Sequence, residues 1–149
     1  MNQITTLRLT LLRAMYLLLV VGLGLTMWPA IIAPSQLAAN AGSVVRSLLG
    51  ALCLLSLLGL RYPLRMLPLL VFELLWKIIW IVAFALPMWW GPGLDPYAAE
   101  TLFACAMGVV LVPLVLPWGY LVREYLRAPA TPWTGAATAA GPGQGQVPH

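Results

Sequence analysis

Charge is what this chain has least of. Eight basic and four acidic residues make up 8% of its 149 positions, where about 25% is usual for a soluble domain. Histidine occurs once, as His149 at the last position, which leaves no basis for a histidine metal, haem or proton-relay site. Cysteine occurs twice, as Cys53 and Cys105, without a Cys-x-x-Cys pair, so thiol oxidoreductase chemistry has no motif to rest on. Both cysteines read as small apolar residues. No nucleophile, base and orienting group stand at the spacings an enzyme needs. The expectation is therefore not an enzyme, with no metal and no cofactor.

What fills the space is apolar. Hydrophobic residues account for 62% of the chain, against roughly 45–50% in average domains. A water-soluble fold of this composition would be left with large exposed apolar patches. The length admits one domain.

A membrane-spanning helix needs about 20 mostly apolar residues to cross roughly 30 Å of hydrocarbon. Four stretches qualify: about 14–33, 44–60, 66–90 and 96–121. Ser43 stands where the second would be N-capped, and Asp95 with Pro96 supplies an N-cap followed by proline at the first helical position. No stretch alternates with period two, which argues against a membrane β-barrel. Helices that satisfy their own backbone groups fit lipid. The connections Arg61-Tyr62-Pro63-Leu64-Arg65 and Gly91-Pro92-Gly93-Leu94-Asp95-Pro96 are too short for anything but a turn. The expected fold is an all-α membrane protein, an antiparallel four-transmembrane-helix bundle over 1–127. Residues 128–149, rich in Ala, Pro, Thr, Gly and Gln with Trp133 as sole anchor, read as a disordered cytoplasmic tail.

Arginine distribution sets the expected orientation. Arg8 and Arg13, Arg61 and Arg65, and Arg123 and Arg127 fall on one side of the four spans, while Arg46 alone approaches the other. The positive-inside rule then places both termini in the cytoplasm. Trp28, Trp89 and Trp90 mark the outer interface, and Trp118 and Tyr120 the inner one. A signal-peptide reading of the first span conflicts with its apolar run of about 20 residues, longer than the 7–15 of such segments. The net charge of +4 is spread over three chain segments. It suits attraction to anionic lipid and lacks the continuous basic face of a nucleic-acid binder.

One acid lies deep in a span. In Phe72-Glu73-Leu74-Leu75-Trp76-Lys77-Ile78-Ile79-Trp80, Glu73 and Lys77 are four apart with the acid first, the favourable order for a helical ion pair. Trp76 and Trp80 share their face. A charge at the bilayer centre costs at least about 2.5–3.5 kcal/mol, so the face must turn towards partners. Candidates are Ser56 of the second span, Tyr16 near the start of the first, and the fourth span near Pro113 and Pro117, which leave the Val109 and Pro113 carbonyls without their amide donors. Lys77 is a suitable donor to such carbonyls. A polar pocket of Glu73, Lys77, Ser56, Trp76, Trp80, Pro113 and Pro117 is thus expected in the inner half of the bundle. It can lock helix orientation, line a ligand or ion pathway, or meet a partner helix. The pairs Gly22 and Thr26, Ser47 and Ala51, and Ala104 and Gly108 have the spacing of close helix approach.

The run Arg61-Tyr62-Pro63-Leu64-Arg65-Met66-Leu67-Pro68, with Glu73, Trp76, Lys77, Trp80, Leu86 and Pro87, resembles a segment of small bacterial four-helix inner-membrane proteins that have no assigned function. The resemblance implies a bacterial inner membrane and no activity. Small multidrug transporters also have four helices, but their acidic residue lies in the first, where this chain has none. The expected function is a small membrane scaffold or accessory subunit held by the Glu73–Lys77 pair. The alternative is a small oligomeric transporter or channel in which Glu73 titrates. An enzyme acting on lipid or quinone is the weakest reading. Expected partners are the lipid bilayer and a second copy or another membrane protein.

Overall fold

The computed structural model describes residues 4–35 and 37–131. Most of the expected tail, with Trp133 and His149, therefore lies outside the described residues. The described residues form helices joined by short connections and contain no strand. Helix α1 runs Thr6–Ile32, α2 Ala41–Arg61, α3 Leu67–Trp80 and α4 Leu86–Trp90, with a π turn Ile81–Ala85 joining α3 to α4. Helix α5 runs Pro96–Val115, and α6, Trp118–Leu121, passes into a second π turn, Val122–Arg127. Counting Leu67–Trp90 as one rod, four helices among the described residues are long and apolar enough to cross a membrane.

Each boundary has a local cause. Thr5 caps α1 by accepting the Arg8 amide at 3.4 Å, so the helix begins eight residues before the expected start at 14 and carries Arg8 and Arg13 within it. It ends at Ala33, whose successor Pro34 disfavours helical backbone. The cap of α2 is Asn40 rather than Ser43. Asn40 Oδ1 accepts the Ser43 amide at 2.9 Å, and Ser43 Oγ accepts the Asn40 amide at 3.2 Å. Ser43 is the returning half of a capping box. Before Pro63, Tyr62 closes α2 by donating its amide to the Leu58 carbonyl at 2.8 Å.

Within the third rod, Pro87 has no amide for the Ala83 carbonyl and its ring crowds the preceding turn. The π turn widens the backbone there, and the Leu86 amide reaches back five residues to Ile81. The rod stops at Gly91-Pro92-Gly93. Gly93 has φ +90°, open to glycine alone without strain, and its amide bonds the Met88 carbonyl at 2.8 Å. Asp95 Oδ1 then accepts the Ala98 amide at 2.6 Å, with Pro96 opening α5.

The fourth helix does not run unbroken to 121. Pro113 is carried inside α5, but Leu116 turns to extended backbone ahead of Pro117. The break leaves the Pro113 carbonyl without an amide, and the Trp118 indole N–H supplies one at 2.9 Å. Helix α1 packs chiefly on α2, and α3 on α5, with lesser contacts joining α1 to α5 and α2 to α3. The main core joins Leu12, Met15, Tyr16 and Leu19 of α1 with Leu67, Leu70 and Leu74 of α3 and Val112 and Leu116 at the end of α5. Outside it the helices remain apolar: Leu25, Phe103, Leu114 and Trp90 are all more than two-thirds exposed. At most 28% of the residues in any spanning window are buried within the molecule. Helices apolar on every side belong in a medium other than water.

Candidate polar site

Helix α3 carries its own charge pair. Glu73 and Lys77 are one turn apart on a single face, and Lys77 Nζ lies 2.8 Å from Glu73 Oε1. Trp76, three residues on from the acid, donates its indole N–H to the other carboxylate oxygen at 2.6 Å. Its ring lies 5.6 Å from the Lys77 ammonium, within cation–π range. Glu73 is 1% exposed, and both of its oxygens are engaged by residues of the same helix. The pair therefore arrives neutralised and needs no group from a neighbour.

What α5 contributes is absence of a side chain. Gly108 is buried, and a methyl built on it would lie 2.5 Å from Lys77 Nζ and 2.8 Å from Lys77 Cδ. The lysine stem thus lies along bare α5 backbone. Among the three small-residue pairs, this is the position where close approach occurs. Gly22 faces open space, with Thr26 donating to its carbonyl at 2.7 Å, and exposed Ser47 bonds the Ser43 carbonyl within its own helix.

The other predicted members do not join by hydrogen bonds. Ser56 is fully buried, but its hydroxyl donates to the Leu52 carbonyl at 2.8 Å, one turn back. The Pro113 carbonyl is taken by Trp118 and not by Lys77, whose ammonium is spent on Glu73. Trp80 is half-buried and takes no part in the hydrogen bonds around Glu73. Pro117 is buried at the end of the fourth helix, beyond Leu116. The hydrogen bonds join Glu73, Trp76 and Lys77 into a self-contained triad, seated against one glycine.

Sequence reasoning missed a second close approach. Gly50, Cys53, Ser56 and Gly59 recur every three residues of α2, and all are buried. A methyl on Gly59 would overlap the Tyr16 ring, and one on Gly50 would meet Ile31 at 2.8 Å. Tyr16 is fully buried and donates its hydroxyl to the Pro63 carbonyl at 3.0 Å, tying α1 to the α2–α3 connection. The signal was the i, i+3 series of small residues, hidden because only its outer members are glycine.

No buried side-chain nitrogen or oxygen is left without a hydrogen-bond partner among the described residues. Nor do three His, Cys, Asp or Glu side chains gather there as metal ligands. Comparison with protein-family models, curated proteins and solved structures finds no match for the chain.

Proposed function

We propose that this protein is a small multi-pass membrane scaffold or accessory subunit, an antiparallel four-helix bundle in which the Glu73–Trp76–Lys77 triad fixes the rotation of the third span. One observation carries the reading: both Glu73 oxygens are occupied within α3, and the carboxylate is 1% exposed. A transport group must exchange partners with its cargo, and here every acceptor atom is already committed. An ion pair closed on itself removes much of the cost of charge in hydrocarbon. It also seats the lysine stem against Gly108 of α5.

The membrane setting rests on the four apolar helices. The inside orientation rests on how the arginines are grouped. The start of α1 adjoins α6, since Thr5 and Arg8 border one cleft with Tyr120 and Arg123. Tyr125 donates its hydroxyl to the Leu64 carbonyl at 3.3 Å, beside Arg65. Three basic segments therefore meet at one end, which becomes the cytoplasmic face of a bacterial inner membrane. The apolar outer faces leave room for a second copy or another membrane protein.

A double-mutant cycle tests the lock. Glu73→Gln and Lys77→Met, each alone, strand a buried partner and should cost about 3–5 kcal/mol in detergent unfolding. The double variant should recover most of that loss. Well-folded Glu73→Gln protein that had lost an ion flux shown by the wild type in vesicles would replace the scaffold with a transporter. Single variants as stable as the wild type would remove the lock altogether.

A further inference from the structure

Two concavities lie away from the triad, at the arginine-bearing end. One cleft of about 370 Å³ is lined by Ile4, Thr5, Arg8, Pro117, Gly119, Tyr120 and Arg123. A second, of about 510 Å³, is lined by Trp118, Gly119, Val122, Arg123 and Arg127. They share Gly119 and Arg123, so they adjoin at α6 and together make up one basic depression. Each volume falls in the roughly 300–1,000 Å³ range of small-molecule sites.

Its lining has a definite chemistry. Three guanidinium groups, from Arg8, Arg123 and Arg127, border it, and no carboxylate does among the described residues. The one ion pair within 4 Å among those residues is Glu73–Lys77, so none of these arginines is paired with a carboxylate among the described residues. Thr5 and Tyr120 add hydroxyls, while Pro117, Val122 and the half-exposed Trp118 supply an apolar wall. Gly119, with open space where a side chain would be, keeps the shared floor clear. The break before Pro117 creates this shape, because α6 leaves the line of α5 there and brings Arg123 beside Arg8. Guanidinium forks match phosphate oxygens in geometry and charge. Basic recesses between helices at the cytoplasmic surface suit anionic headgroups.

We infer that the depression holds a phosphate oxyanion, and that the phosphate is the headgroup of an anionic phospholipid whose acyl chains lie along the apolar faces outside. This rests on the membrane reading above, since only a bilayer presents such a headgroup at that height. Arg8 and Arg123 grip the phosphate from two helices, Arg127 adds to the field, and Trp118 marks the interface at which the glycerol lies.

The full-length protein, reconstituted in vesicles of equal parts phosphatidylglycerol and phosphatidylcholine, is floated on a density gradient and extracted in mild detergent. Native mass spectrometry then reads the lipid retained. The wild type should keep phosphatidylglycerol in preference to phosphatidylcholine. Arg8→Gln and Arg123→Gln should each lower that preference at least about tenfold, the effect of losing a charge-assisted hydrogen bond to phosphate. The Arg8→Gln/Arg123→Gln double variant should lose most of it, whereas Arg61→Gln/Arg65→Gln, which removes the same two charges at the same end but outside the clefts, should keep most of it. Equal retention of both lipids by floated wild-type protein would overturn the headgroup site while leaving the membrane reading intact. Equal losses in the Arg8/Arg123 and Arg61/Arg65 double variants would reduce it to bulk charge and overturn it as well. Wild-type protein that binds inorganic phosphate in equilibrium dialysis without any lipid preference would assign the site to soluble phosphate instead. Protein that fails to float would overturn the membrane reading itself.

Discussion

Glu73 and Gly59 illustrate two kinds of residue. The partners of Glu73 lie three and four positions along the same helix, so helical geometry alone brings them together. That is why the acid, the lysine and Trp76 were legible in the sequence. Gly59 owes its role to Tyr16, 43 positions earlier in the chain, and no local pattern announces such a partner. Ser56 shows the converse. Its hydroxyl satisfies itself on the carbonyl one turn back, an option open to any serine in a helix, so burial did not draw it to Glu73. The Tyr16 ring is buried and anchored through Pro63, so it cannot yield to a larger neighbour. Gly59→Ala should therefore destabilise the fold by about 1–3 kcal/mol through overpacking. Gly22→Ala, which meets nothing within 4 Å, should be neutral or gain up to about 1 kcal/mol of helix propensity. Thermal unfolding of the two variants in one detergent checks the contrast, and equal effects would refute the packing assigned to Gly59.

Among the elements, the helices themselves were evident from hydropathy, and their ends less so. The Asp95–Pro96 start was readable because cap and proline are adjacent in sequence. The start of α2 was misplaced by three residues because Asn40 and Ser43 are both good caps and each bonds the other. Asn40 is the cap proper, and Asn40→Ala should cost about 0.5–2 kcal/mol while Asn40→Asp should cost little. Detergent melting of these two variants tests the assignment; an aspartate variant as weak as the alanine one would contradict it. The fourth helix was expected to run over 96–121 and instead divides before Pro117. Sequence does not distinguish a kink from a break, since either removes the same backbone bond. The outcome follows from where the freed Pro113 carbonyl finds a donor, and the Trp118 indole reaches it once the chain has turned.

For the whole molecule, the paired packing of α1 with α2 and α3 with α5 gathers the basic segments at one end. Leu37, 94% exposed, lies in the connection at the other end of α1 and α2. Impermeant thiol reagents should then label Arg61→Cys only from the cytoplasmic side and Leu37→Cys only from the opposite side. Cys53 and Cys105 are buried and should stay silent in both experiments. Labelling of Arg61→Cys from the periplasm would reverse the proposed orientation.

By itself the sequence determined that the described chain is helical, that four of its helices suit a membrane, and which turn of which helix holds the buried pair. Those properties depend on hydropathy, proline and spacing, all of which act over a few residues. Tertiary structure alone decided that Lys77 lies against Gly108, that Gly59 receives Tyr16, and that Arg8 lines one cleft with Arg123. Each of these joins residues far apart in the chain, and their meeting depends on how whole helices rotate and where the last one breaks.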